Sequence, residues 1–115
     1  MSAVTDLIDV QADAFRSRDL ERFIACYTDD AVIRDFRGNV MMANAAVMRE
    51  QYGQLFAGSP DLDVQIPNRI ESGGFVVDEE HLTGFNMPGT PSEFTAIVTY
   101  FVRDAKITEV VIAAS

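Results

Sequence analysis

Apolar positions along the chain fall into two regimes. Up to about residue 57 they recur mostly at helical spacing, and from about residue 62 they alternate. Residues 3 to 17 place Val4, Leu7, Ile8, Gln11, Ala12 and Phe15 on one face of a first helix. Gln11 is a primary amide in an otherwise apolar stripe. Asp19 has the short acidic side chain that caps a helix by accepting from free backbone N–H groups. Leu20, Phe23, Ile24 and Tyr27 then continue at helical spacing, and Thr28-Asp29-Asp30 is expected to stop that second helix. From Ala31 a strand is predicted, with Ala31, Ile33 and Asp35 on one face and Val32, Arg34 and Phe36 on the other. After a turn at Arg37-Gly38-Asn39 and a short apolar run, Val40-Met41-Met42, a third helix spans about 44 to 57. It buries Met48, Tyr52, Leu55 and Phe56 and is ended by Gly58 and Pro60.

Leu62, Val64, Ile66, Asn68 and Ile70 alternate with polar residues in a half-buried strand whose Pro67 demands an edge or a bulge. Gly73-Gly74 suits a two-residue hairpin turn pairing Ser72 with Phe75. That register puts Phe75, Val77, Glu79, His81, Thr83 and Phe85 on the face of Ile70 and Asn68. A three-residue turn puts Val76, Asp78, Glu80 and Leu82 there instead. Residues 86–92 read as a loop. Residues 93–103 carry Phe94, Ala96, Val98, Tyr100 and Val102 on one face and Ile97 and Phe101 on the other, and a last strand covers 106–113. Both closing strands look covered on two sides, by helices on one and by another subunit on the other. No repeat is present. Three helices around a first strand, followed by an antiparallel meander, make one α+β domain over residues 1–115.

Composition narrows the functional classes. The 115 residues carry 18 acidic and 9 basic side chains, a net charge of −9, with no basic cluster. Neither nucleic acid nor an anionic membrane is an expected partner. The opening MSAVTDLIDV lacks the basic start and apolar run of a secretory signal, and no segment reaches membrane-spanning length, so a cytoplasmic location is expected. Cys26 is the sole cysteine and reads as an inert small hydrophobe.

Gln11, Tyr27, Asp35, Tyr52, Asn68, Glu79 and His81 fall on otherwise apolar stripes. Buried polar groups need partners, and this many point to a shared cavity. A buried Asp35 has its pKa raised by desolvation and becomes a base able to move a proton between carbons. Tyrosine hydroxyls, the Gln11 amide or a protonated His81 would then serve the developing enolate oxygen. The plainer alternatives are an exposed Asp35 paired with Arg34 or Arg37, and a surface His81 bonded to a neighbouring strand. Glu79 and His81 stand two apart on one strand face, but no third ligand accompanies them, so no metal is expected.

The run DLERFIACYTDDAVIRDF, with the helix ANAAVMREQYGQLF and the hairpin meander, resembles the nuclear-transport-factor-2-like superfamily. Within it the chain is similar to ketosteroid-isomerase-like and SnoaL-like polyketide cyclase-type proteins, over nearly its whole length. The resemblance implies a cone-shaped, cystatin-like α+β barrel whose curved, antiparallel or mixed sheet wraps a long N-terminal helix. It also implies an apolar pocket and a homodimer formed through the sheet. Asp35 matches the isomerase's general base, and Tyr27 and Tyr52 match two tyrosines of its hydrogen-bond network. The isomerase's oxyanion tyrosine falls on Gln11 and its protonated aspartic acid on Val98, so that oxyanion hole is not reproduced. On the same matching Glu79 and His81 point into the pocket, which suggests a smaller or more polar ligand.

The reading that follows is an isomerase- or cyclase-like enzyme acting without a cofactor on a small hydrophobic carbonyl compound. Asp35, His81 and Tyr52 are its catalytic candidates, and Gln11, Tyr27, Asn68, Glu79 and Val98 contact the ligand. The alternatives are a non-catalytic binding or interaction domain, and hydrolytic or dehydratase chemistry by an Asp35–His81 pair.

Overall fold

A computed structural model describes residues 2–114. Their order is α1 (Ala3–Ser17), α2 (Leu20–Ile24), β1 (Tyr27–Asp35), β2 (Val40–Met42), α3 (Ala45–Gly58), β3 (Asp63–Ser72), β4 (Phe75–Thr83), β5 (Phe94–Arg103) and β6 (Lys106–Ala114). The strands form one mixed sheet in the order β2-β1-β6-β5-β4-β3, with β1 parallel to β6 and every other pair antiparallel. Two free edges remain, so the sheet is curled like a cone and not closed into a barrel.

Local chemistry accounts for the helix ends. Ser2 and Thr5 form a reciprocal capping box, each side chain accepting from the other's backbone N–H at 3.1 Å. Arg18 closes α1 in a left-handed conformation. Asp19 caps α2 by accepting from Arg22 N at 3.2 Å, and Asn44 caps α3 by accepting from Val47 N at 3.0 Å. The second helix is shorter than its apolar spacing suggested. It ends at Ile24 because Cys26 and Tyr27 are taken up by β6: Ile107 N donates to the Cys26 carbonyl, and Tyr27 pairs with Ile107. Tyr27 still packs on Phe23, ring centres 5.3 Å apart, which is why it fitted the helical stripe.

The core lies between α1, α3 and the concave face of the sheet, and includes Ile8, Phe15, Phe23, Ile33, Met48, Val76 and Ile107. Cys26 is buried within it, and burial pushes its thiol pKa up. The hairpin at Gly73-Gly74 has the two-residue register, with Ser72 opposite Phe75. The inward face, however, is the even-numbered one. Between Gln65 and Asn68, β3 holds one residue more than β4, a bulge around Pro67 that reverses the alternation. Leu62 and Val64 are buried before it, whereas Asn68 and Ile70 are exposed after it and Arg69 turns inward against Asp78. The bulge therefore carries Glu79 and His81 to the convex face with Asn68 and Ile70, correcting the expectation that they enter the pocket.

Candidate active site

A cavity of about 430 Å³ opens between the concave face of β4, β5 and β6, the inner sides of α1 and α3, and the loop 84–93. Gly84 starts that loop in a left-handed conformation, where a β-carbon would collide with the carbonyl of Asp61. Phe85, Met87, Thr90 and Pro91 then cover the cavity from the loop side, while Met41 and Met42 border it from β2.

Two hydrogen-bonded pairs and a lone hydroxyl supply much of its polar lining. Glu80 projects inward from β4 and is 8% exposed. Tyr100 on β5 donates to its Oε2 at 2.7 Å, and Oε1 accepts no hydrogen bond from the described residues. Gln11 Nε2 on α1 donates to the Tyr27 hydroxyl at 3.1 Å, which leaves that hydroxyl's own proton available. The Tyr52 hydroxyl on α3 makes no hydrogen bond to the described residues, and its ring lines the cavity. Burial raises the Glu80 pKa to about 7; neighbouring Asp78 adds to the rise, while Tyr100, Arg69 and Arg16 oppose it. Burial also raises the pKa of Tyr27, Tyr52 and Tyr100, and the Glu80 charge raises each further. The three hydroxyls therefore stay protonated, as hydrogen-bond donors must.

Beside Glu80 on β4, Asp78 anchors an ion cluster that runs from the core to the surface. Asp78 is 0% exposed and receives two bonds from Arg69, at 2.7 and 2.9 Å, while Arg69 also reaches Asp9 on α1 at 2.7 Å. Sheet and helix are tied together at the level of Gln11.

Of the residues singled out from sequence, Gln11, Tyr27, Tyr52 and Val98 line this cavity. Asp35 does not. It shares the face of Ala31 and Ile33, but it ends β1 partly exposed, its carboxylate accepting from Arg37 N, Asn39 N and Asn39 Nδ2 at 2.9, 2.9 and 3.0 Å. Those bonds, Asn39's first, hold its pKa below the usual carboxylate range, the reverse of the rise expected for a buried base. His81 pairs with Glu93 at 2.7 Å and Asn68 donates to Glu79 at 2.6 Å, both on the convex face. Asp35 and His81 are not brought together, and the hydrolytic pairing has no geometric basis. Glu80 and Tyr100 are the residues that sequence reasoning did not select. Their signal was the even-numbered alternation Val76, Asp78, Glu80, Leu82 facing Ala96, Val98, Tyr100. Among the described residues no group of three His, Cys, Asp or Glu side chains is placed to hold a metal ion, and no helix is long and apolar enough to cross a membrane.

Comparison with known proteins agrees with this architecture. Residues 9–110 match the family model of the SnoaL-like domain. No curated protein matches the sequence. Among solved structures, an uncharacterised cystatin-fold protein of Novosphingobium aromaticivorans superposes with a TM-score of 0.85 at 23% identity, covering 98% of both chains. IdmH of Streptomyces antibioticus, a candidate polyketide cyclase, gives 0.79 at 22% identity over 97% of this chain and 91% of its own. An M. tuberculosis LEH-like epoxide hydrolase gives 0.82 at 14% identity over 98% and 83%. Identities this low establish a shared fold, and the chemistry has to be argued from the site.

Proposed function

The chain belongs to the SnoaL-like family, and from that premise we propose an isomerase- or cyclase-like enzyme that moves a proton on a small, hydrophobic carbonyl compound. The observation that carries this reading is Glu80, a carboxyl inside an apolar cavity with a pKa of about 7 and one oxygen free. Such a group is half ionised at neutral pH, where general acid–base catalysis is most effective. In this mechanism the Glu80 carboxylate removes a proton from the carbon beside the substrate carbonyl. Tyr27, its oxygen already occupied by the Gln11 amide, donates to the developing enolate oxygen, and Tyr52 is the second available donor. Return of the proton to another carbon completes an isomerisation; attack of the enolate on a second carbonyl completes a cyclisation. Glu80 thus takes the role first expected of Asp35.

The test is solvent deuterium exchange into the α-carbon of small apolar ketones and enones, followed by NMR. Exchange accelerated by the wild type and lost in Glu80→Gln is expected. Equal rates in both proteins would remove Glu80 from the mechanism, and binding without exchange would favour a carrier or sensor.

We also propose that the convex face forms a homodimer. Ile70, Phe75 and Ile97 are 67, 49 and 45% exposed there, and Phe75 packs edge-on against Phe101. Apolar side chains concentrated on one sheet face support association with a second copy.

A further inference from the structure

We infer that the ligand of this cavity is an apolar compound carrying a protonated amine, seated over the aromatic rings and within the field of Glu80. This deepens the proposed function, because it rests on the same cavity being a ligand site and names the class of molecule that enters it.

Charge is the first argument. Glu80 is the one acidic residue lining the cavity, and no Lys, Arg or His lines it. The two arginines whose charge reaches Glu80 are already engaged. Arg16 bonds Asp13 at 2.8 Å and the Val64 carbonyl at 2.8 Å, and Arg69 bonds Asp78 and Asp9. A carboxylate or phosphate on a ligand would lose its water and meet no counter-charge. A cation would meet one, because Glu80 Oε1 accepts no hydrogen bond from the described residues.

The walls give the second argument. Phe15, Tyr27, Tyr52, Phe85, Phe94 and Tyr100 present rings to one cavity, and the negative faces of such rings attract ammonium groups, more strongly once water is excluded. The chain's net charge of −9 acts in the same direction at longer range, drawing cations towards the protein.

A protonated amine also makes chemical sense beside a carbonyl. Its positive charge favours the ionised Glu80 and stabilises the carbanion that proton removal leaves behind. The groups acting on Glu80 are Asp78 on its own strand, Arg69 from β3, Arg16 from α1, Tyr27 from β1, Tyr52 from α3 and Tyr100 from β5. Of these, only Asp78 shares its sign, and Asp78 is neutralised by Arg69. The site's pH response is therefore expected to follow Glu80.

Three probes of one shape separate the terms: 1-adamantylamine, 1-adamantanol and adamantane-1-carboxylate, titrated calorimetrically into the full-length protein. At pH 8 the amine is expected to bind tightest and the carboxylate weakest. A carboxyl titrating near 7 is about nine-tenths ionised at pH 8 and one-tenth at pH 6, so amine affinity should fall about tenfold between them while that of the alcohol holds. Glu80→Gln should erase both the preference and the pH dependence; if that variant does not fold, the wild-type ranking of the three probes decides. An alcohol binding as tightly as the amine at pH 8, amine affinity independent of pH, or no amine binding would each overturn the inference. Glu80-dependent exchange on neutral ketones would then leave the proposed function standing. Amine preference with exchange unaffected by Glu80→Gln would do the opposite.

Discussion

Tyr100 donates to Glu80 across two strands, hydroxyl to carboxylate at 2.7 Å. They are not direct partners in the sheet: Glu80 stands opposite Ala96, and Tyr100 stands opposite Val76. The bond thus runs diagonally along the concave face. It holds one carboxylate oxygen and leaves the other to a ligand. Because a hydrogen bond to the charged form favours ionisation, Tyr100 works against the burial that raises the Glu80 pKa. Tyr100→Phe should therefore move the rising limb of the pH–rate profile to higher pH. Exchange rates measured from pH 5 to 9 in both proteins check this, and an unmoved limb would assign the titration elsewhere.

Glu80 should weaken the fold as pH rises. Its folded pKa of about 7 lies above the ordinary value of 4.5, so the folded chain binds the proton more tightly than the unfolded one. Stability linked to this group is full below about 4.5 and is lost as pH rises through about 7. The shift corresponds to roughly 3 kcal/mol. Glu80→Gln should gain stability relative to wild type as pH is raised from 5 to 8, by somewhat less than that figure because at pH 5 the unfolded carboxyl is already largely ionised. Urea unfolding at the two pH values gives the difference directly.

Arg69 is expected to be the most costly charged residue to remove. Arg69→Met leaves Asp78 buried without its bidentate partner, and breaking a buried pair in this way costs about 3–5 kcal/mol. Pairing it with Asp78→Leu should recover much of the loss. Equilibrium denaturation of the single and double variants measures both, and additive losses would mean that the two side chains act independently.

Asp35→Asn should leave exchange and ligand binding unchanged and lower stability at neutral pH. Asp35 has a depressed pKa, so its contribution is present above the ordinary carboxylate range and is lost as pH falls through the folded value. The gap between variant and wild-type melting temperatures should therefore narrow in acid. Loss of turnover in a fully folded Asn variant would return Asp35 to the mechanism.

Ile97→Lys replaces an exposed apolar side chain of the convex face by a charge and should convert a dimer into a monomer without altering the cavity. Sedimentation velocity distinguishes the two states. A wild type that already sediments as a monomer would refute the dimer.

Much of the fold was legible because it depends on local rules. Asp19 capped α2 as its side chain suggests, Pro67 marked a bulge on an edge strand, and Gly73-Gly74 closed a two-residue hairpin. Gln11 and Tyr52 were recognisable as cavity residues for the same reason: each lies on an apolar helical stripe and keeps that face, while Val98 followed from the family resemblance. What was not legible was a consequence of the bulge. Alternation gives two faces, but one inserted residue decides which of them is inside, and the insertion is visible only in the pairing with β4. Glu80 was passed over beside Glu79 because adjacent acids on a strand look equivalent until the sheet assigns them opposite sides. Tyr27 was misread for a different reason, since a contact with Phe23 across a chain reversal mimics one turn of helix.

The bulge at Pro67 also separates two jobs within a single strand. Before it, odd-numbered side chains of β3 look outward; after it, even-numbered ones do. Because Val64 stands opposite Leu82 on one side of the bulge and Arg69 opposite Asp78 on the other, removing one residue there would leave both pairings in place and straighten the strand. The sheet edge thus absorbs a change in chain length between its core half and its hairpin half without moving the side chains of either.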